Sequence, residues 1–140
     1  MFRTEISLDA LDFGKLEAVL ELAALAARAD GVIDDTERAA FRALVIERSN
    51  GKLGASMADV IFEKLSAATS ESTDARLARV RSRLPDARMR ESALLLAANL
   101  VLADGALRVD EGEFLERAGA VLEIGSATVQ AIVAQARHGR

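Results

Sequence analysis

The chain contains no cysteine. That excludes disulfides, thiolate metal sites and cysteine nucleophiles together, and it fits a cytoplasmic setting. Histidine occurs once, as His138 near the end of the chain, so a Ser/His/Asp triad has no credible base. Tryptophan and tyrosine are absent, and five phenylalanines are the only aromatics. The single proline, Pro85, leaves long segments free to be helical. Long apolar runs are also missing. The run 93–98 ends at Asn99, far short of the roughly 18 residues a membrane span needs. The opening Met1-Phe2-Arg3-Thr4-Glu5 is followed by no apolar targeting core. Basic charge is in deficit, with 18 Lys and Arg against 22 Asp and Glu, a net charge of −4. Such a chain is a poor nucleic-acid binder, because phosphate neutralisation requires an excess of cations.

What remains is alanine, leucine and charge. Of the 140 residues, 51% are hydrophobic, and 28 are alanine. That composition, poor in β-branched and aromatic residues, predicts an all-α fold. The length predicts a single compact domain over 1–140, with 1–11 as an N-terminal arm. Apolar spacing and breaker residues predict seven helices. The first follows a cap at Asp9 or Asp12, runs to about Ala29 and turns Leu16, Val19, Leu20, Ala23 and Ala27 inward. The second starts near Asp34, with Glu37 at capping-box spacing, and ends at Asn50-Gly51. The third is capped by Ser56, with Met57, Val60, Ile61 and Leu65 inward. The fourth, about 74–84, carries Leu77, Val80 and Leu84 on one side and arginines on another. The fifth, about 86–103, is apolar all round between Ala93 and Ala103, the mark of a helix buried on every side. The sixth starts near Asp110 with Phe114, Leu115, Ala118 and Leu122 inward, and Gly125 ends it. The seventh, capped by Ser126, packs Val129, Ile132, Val133 and Ala136.

A shift of 74 residues lays 17–37 on 91–111 with nine identities in 21 positions and no gap. Alanine and leucine matches are cheap in so biased a chain. Asp30-Gly31 against Asp104-Gly105, and Glu37 against Glu111, are not. Each copy reads D-G-x-[IL]-x-x-x-E, a helix–loop–helix unit, and the pair predicts an approximate internal twofold. The Asp closes one helix, where the dipole disfavours a negative charge. The Glu sits in the first turn of the next helix and leans back toward the Asp. Ile33 and Leu107 pin the connecting loops to the core. The pattern equals the second half of an EF-hand loop. Its first half would need oxygen ligands, and there the chain has Ala26 and Arg28, or Leu100 and Leu102. A true EF-hand is therefore rejected.

Two helix-ending Asp-Gly motifs, each with Glu seven residues beyond the Asp, in an all-helical chain of this size, resemble the tellurite-resistance protein TerB family over about residues 13–136. The resemblance implies a seven-helix pseudo-symmetric fold, an acidic metal-binding surface, and a bacterial cytoplasmic role in metal or envelope stress. Asp30, Glu37, Asp104 and Glu111 match the family's acidic positions. The copies depart from each other where Asp34 and Asp35 become Arg108 and Val109, and where Asp110 and Glu113 are gained.

For the four carboxylates two readings stand side by side. As caps, each Asp accepts from loop N–H groups and each Glu favours its helix N-terminus. As ligands, they offer oxygen alone, which suits Ca²⁺ or Mg²⁺, while Zn²⁺ also accepts carboxylates. No organic cofactor is expected. Glu17 and Glu91 lie about 220° around the helix from the Asp residues and are expected to be solvated. Asn99 is expected to be a satisfied core amide. Arg76, Arg79, Arg81, Arg83, Arg88 and Arg90 are expected to form a solvated face. Nothing marks a substrate pocket, so no enzyme is expected. The sequence thus predicts a non-catalytic binding module with a weak divalent-cation site at Asp30, Glu37, Asp104 and Glu111. The alternative is a helical interaction module without metal. A protein partner of unknown identity is expected, with no nucleic acid and no membrane insertion, and the oligomeric state stays open.

Overall fold

The structure, a computed structural model, describes residues 13–29, 35–49, 51–67, 71–103 and 107–138. Seven helices make up its regular structure: α1 Phe13–Ala27, α2 Asp35–Arg48, α3 Ala55–Ser66, α4 Thr73–Arg83, α5 Ala87–Val101, α6 Val109–Val121 and α7 Ser126–His138. The expected all-α class holds. The arm 1–11, its capping aspartates, Ile33, Asp30-Gly31 and Asp104-Gly105 lie outside the described residues.

Helices α1 and α5 form the centre. Every residue of α1 from Ala18 to Ala27 is buried, and so are Ser92 to Ala98, Leu100 and Val101 of α5. Their alanines permit close helix approach, and α1 packs along α5. The outer helices add layers in corresponding pairs. Helix α3 lies on α1 as α7 lies on α5, α2 packs on α3 as α6 packs on α7, and α1 meets α6 as α5 meets α2. Helix α4 joins the two groups and rests on α1 and α6. Helices α1 and α5 have the same length, and both their ends coincide under the shift of 74.

Local signals account for most helix ends. Ser72 caps α4 by accepting from Ala75 N at 3.1 Å, and Asp86 caps α5 by accepting from Arg88 N at 2.8 Å. Two expected caps fall elsewhere. Helix α3 starts after Gly54, so Ser56 lies inside its first turn, and α7 already includes Ser126. Helix α6 ends at Val121, before Gly125. Glu123 takes the left-handed conformation, with φ of 62°, and its N–H reaches Ala120 O at 3.1 Å.

Two side-chain expectations are overturned. In α3 the buried stripe is Ala58, Phe62 and Leu65, so Met57 and Val60 face outward at 50% and 63% exposure. The inward face runs one residue beyond Met57, and Phe62 meets Phe41 of α2 with ring centroids 4.7 Å apart. The arginine face of α4 is the larger correction. Arg76 is buried, and its Nε donates to Oε2 of buried Glu21 at 2.8 Å. Its Nη2 also donates to Leu65 O. Arg79 donates to the same Glu21 oxygen at 3.0 Å and to both oxygens of Glu71. Arg83 donates to Glu17 at 3.1 Å. Glu17 is thus ion-paired and half-buried rather than solvated. The reason lies in α1: a helix covered on all sides has no solvent face for Glu21, and a buried charge persists only when paired.

Candidate functional site

The site is built where each central helix stops. At the end of α1, Arg28 N donates to Ala24 O at 3.2 Å and Ala29 N to Ala26 O at 3.3 Å. At the equivalent positions of α5, Leu102 N donates to Ala98 O and Ala103 N to Leu100 O, each at 3.1 Å. Both helices therefore close by the same tightening turn immediately before an Asp-Gly pair. Asp30 and Asp104 follow directly in sequence, but both lie outside the described residues. The loops lead into α2 and α6, which start at equivalent positions, Asp35 and Val109.

Glu37 and Glu111 are the described half of the predicted set, and both are 0% exposed. Ionisable side chains so deeply covered are rare without a specific arrangement around them. In the second copy that arrangement is visible. Glu111 sits in the first turn of α6, and its Oε1 accepts from Arg108 N at 3.0 Å. That is the backward half of a capping box. Oε2 is buried and makes no hydrogen bond. The Arg108 guanidinium stands near it, with Nη1 at 3.5 Å. Leu107, half-buried against the core, anchors the loop as expected.

The two copies also approach each other. A cavity of about 380 Å³ is bounded by Arg28 and Ala29 at the end of α1, by Glu71 and Arg76, and by Asp110 and Glu113 of α6. The residues flanking Asp30 and those flanking Glu111 thus share one cavity wall. Arg28 donates to Ala67 O at 2.9 Å, and Arg76 is committed to Glu21. On the rim, Arg117 binds both oxygens of Asp74, tying α6 to α4. This contact holds the Asp74 carboxyl below its ordinary 3.8, because the charged form is the one Arg117 hydrogen-bonds. Glu71 is lowered from 4.5 in the same way by Arg79, while Arg79 and Arg117 are raised by their carboxylate partners.

The side chains at the loops are carboxylates, the hard oxygen ligands that Ca²⁺ and Mg²⁺ take, and the second Glu111 oxygen faces the Arg108 guanidinium. Among the described residues alone, no three Asp, Glu or His side chains gather as a ligand set. Sequence reasoning found both buried glutamates and missed the part Arg108 plays. The signal was present, since Arg108 stands where the first copy has Asp34. No described helix is long and apolar enough to cross a membrane.

Residues 16–134 match the family model described as tellurite resistance protein TerB. No curated protein and no solved structure matches the chain.

Proposed function

The chain belongs to the tellurite resistance protein TerB family, and from that premise we propose that it is a non-catalytic binding module with a weak divalent-cation site at its Asp-Gly loops. The carrying observation is the complete burial of Glu37 and Glu111 at equivalent positions, just after the two loops. Burying a carboxylate is costly unless donors or a cation offset its charge. In this reading Asp30 with Glu37, or Asp104 with Glu111, supplies hard oxygen ligands for Ca²⁺ or Mg²⁺, and water completes the shell. The biological setting we propose is a bacterial, cytoplasmic response to tellurite, metal or envelope stress. There the cation-bound loops present a surface to a protein partner. A second reading has its own observation. Glu111 already accepts from Arg108 N, so the glutamates can serve as caps only, in a metal-free interaction module.

Thermal unfolding with and without cation separates the two. An open site of few protein ligands should bind at about 10⁻⁴–10⁻³ M. At 10 mM cation and the weaker of these affinities, roughly 1.4 kcal/mol of stabilisation follows. For a domain of this size that raises the melting temperature by about 4 °C. Asp30→Asn/Asp104→Asn should abolish the shift. Equal melting temperatures with and without Ca²⁺ or Mg²⁺ would leave capping as the only role.

A further inference from the structure

Helix α3 is polar toward α2 and apolar away from it. Its acids Asp59 and Glu63 are taken up by Arg42 and Arg38 of α2. On the other side Met57 and Val60, one turn apart, stand 50% and 63% exposed. Among the described residues Val109 is the only other large apolar side chain so open to water. With half-buried Leu53 and Ile61, and with Leu20 of α1 beneath, Met57 and Val60 line a groove of about 420 Å³ between α1 and α3. The fold does not require this face. Aligned at their first residues, Ala55 and Ser126, α3 and α7 bury corresponding side chains, Ala58 with Val129 and Leu65 with Ala136. At the positions corresponding to Met57 and Val60, α7 has Thr128 and Ala131. The same place in the other repeat is thus filled without large apolar groups facing water. Large apolar side chains gathered on one exposed face mark a docking surface.

We propose that this face docks on its counterpart in a second copy of the chain, around a twofold axis running along the groove. The proposal goes beyond the cation reading and does not depend on it. A twofold contact has to be complementary to itself in shape and in charge. In shape, the one patch holds both a ridge, Met57 and Val60, and a groove beside it. In charge, its two walls carry opposite signs, Glu17 on α1 and Lys64 on α3. A rim of one sign would repel its own image, and this rim does not. A twofold along the groove lays the α3 wall of each copy over the α1 wall of the other. Lys64 then comes to the side of Glu17 of the second copy, once on each flank of the apolar centre. Both groups are available. Among the described residues Lys64 pairs with no carboxylate, and Arg83 takes Oε1 of Glu17, which leaves Oε2 for a second donor.

The test is sedimentation velocity of the whole chain over a range of concentration. A face built on one helix and its neighbour falls short of the roughly 20–30 residues a side of a stable interface. The dimer is therefore weak, and should appear between about 10⁻⁵ and 10⁻³ M protein. Val60→Glu should hold the chain monomeric over that range. Val60 is 63% exposed, so this substitution leaves the core intact, as circular dichroism will check. Lys64→Glu and Glu17→Lys should each associate more weakly than the native chain. Their equal mixture should associate more strongly than either alone, because opposite charges then meet again at both flanks. Should Glu17→Lys fail to fold, Lys64→Glu against the native chain decides the charge contact. A native chain that stays monomeric throughout would overturn the proposal and leave the face to a different partner. So would a dimer that Val60→Glu leaves intact, or a mixture no heavier than its components.

Discussion

At the scale of single residues, the Glu21–Arg76 pair is the most consequential contact in the molecule. Both side chains are almost fully buried, and Arg76 also serves a backbone carbonyl. Removing Arg76 leaves buried Glu21 with only the partly exposed Arg79 as counter-ion, so the cost falls at the low end of the range for breaking a buried pair, about 3 kcal/mol. Arg76→Ala should therefore lower the stability measured by urea unfolding by that amount. Replacing both, as Glu21→Leu/Arg76→Met, should recover most of the loss, since a buried pair is often no better than an apolar one. A loss below about 0.5 kcal/mol for Arg76→Ala, the usual range for a surface position, would restore the solvated-face expectation. The sequence showed both residues as polar but could not pair them, because they lie 55 positions apart on helices whose packing was unknown. A signal did exist. Glu17 and Glu21 form an acidic stripe on α1, and Arg76, Arg79 and Arg83 form a basic stripe on α4 at matching spacing.

At the scale of elements, the number and order of helices were legible because apolar spacing, Pro85 and turn residues agree along the chain. Which face of a short helix turns inward was less so. In α3, Met57 and Val60 satisfy the helical period as well as Ala58 and Phe62 do, and only the packing against α2 decides between them. Helices α6 and α7 meet at a point no periodicity reveals. A Cβ added at Gly119 would lie 2.3 Å from Val129 Cγ2. In an open helix Gly→Ala gains about 1 kcal/mol. Here overpacking should win, and Gly119→Ala should destabilise by about 1–3 kcal/mol in urea unfolding. A stabilised Gly119→Ala would mean that α6 and α7 separate more readily than their packing indicates. The candidate site was half legible. The repeated D-G-x-[IL]-x-x-x-E pattern led to Glu37 and Glu111 before their burial was known. Arg108 was visible only as a mismatch between the copies, since its distance from Glu111 Oε2 depends on the loop's conformation.

At the scale of the whole molecule, surface ion pairs link the outer layers and set the response to acid. Glu71 and Asp74 bind protons less readily in the fold than in the unfolded chain, because Arg79 and Arg117 hold their charged forms. Their contribution is present above about pH 4 and is lost as pH falls through the lowered folded values, where the unfolded chain takes up more protons. Urea midpoints between about pH 7 and pH 3 should therefore fall most steeply at the acid end, and Asp74→Asn should flatten that limb. An unchanged limb in this variant would mean that the Arg117 contact contributes nothing in solution.

The central claim is that a buried glutamate beside an Asp-Gly loop holds a divalent cation. The most direct measurement is the ¹³C carboxyl signal of Glu37 and Glu111, followed by NMR in the whole chain as Ca²⁺ is raised to about 10 mM, some tenfold above the weakest affinity expected. The signal of at least one of the two glutamates should move along a saturable curve. If neither signal moves over that range, the chain has no cation site at these loops, and both glutamates are helix caps alone.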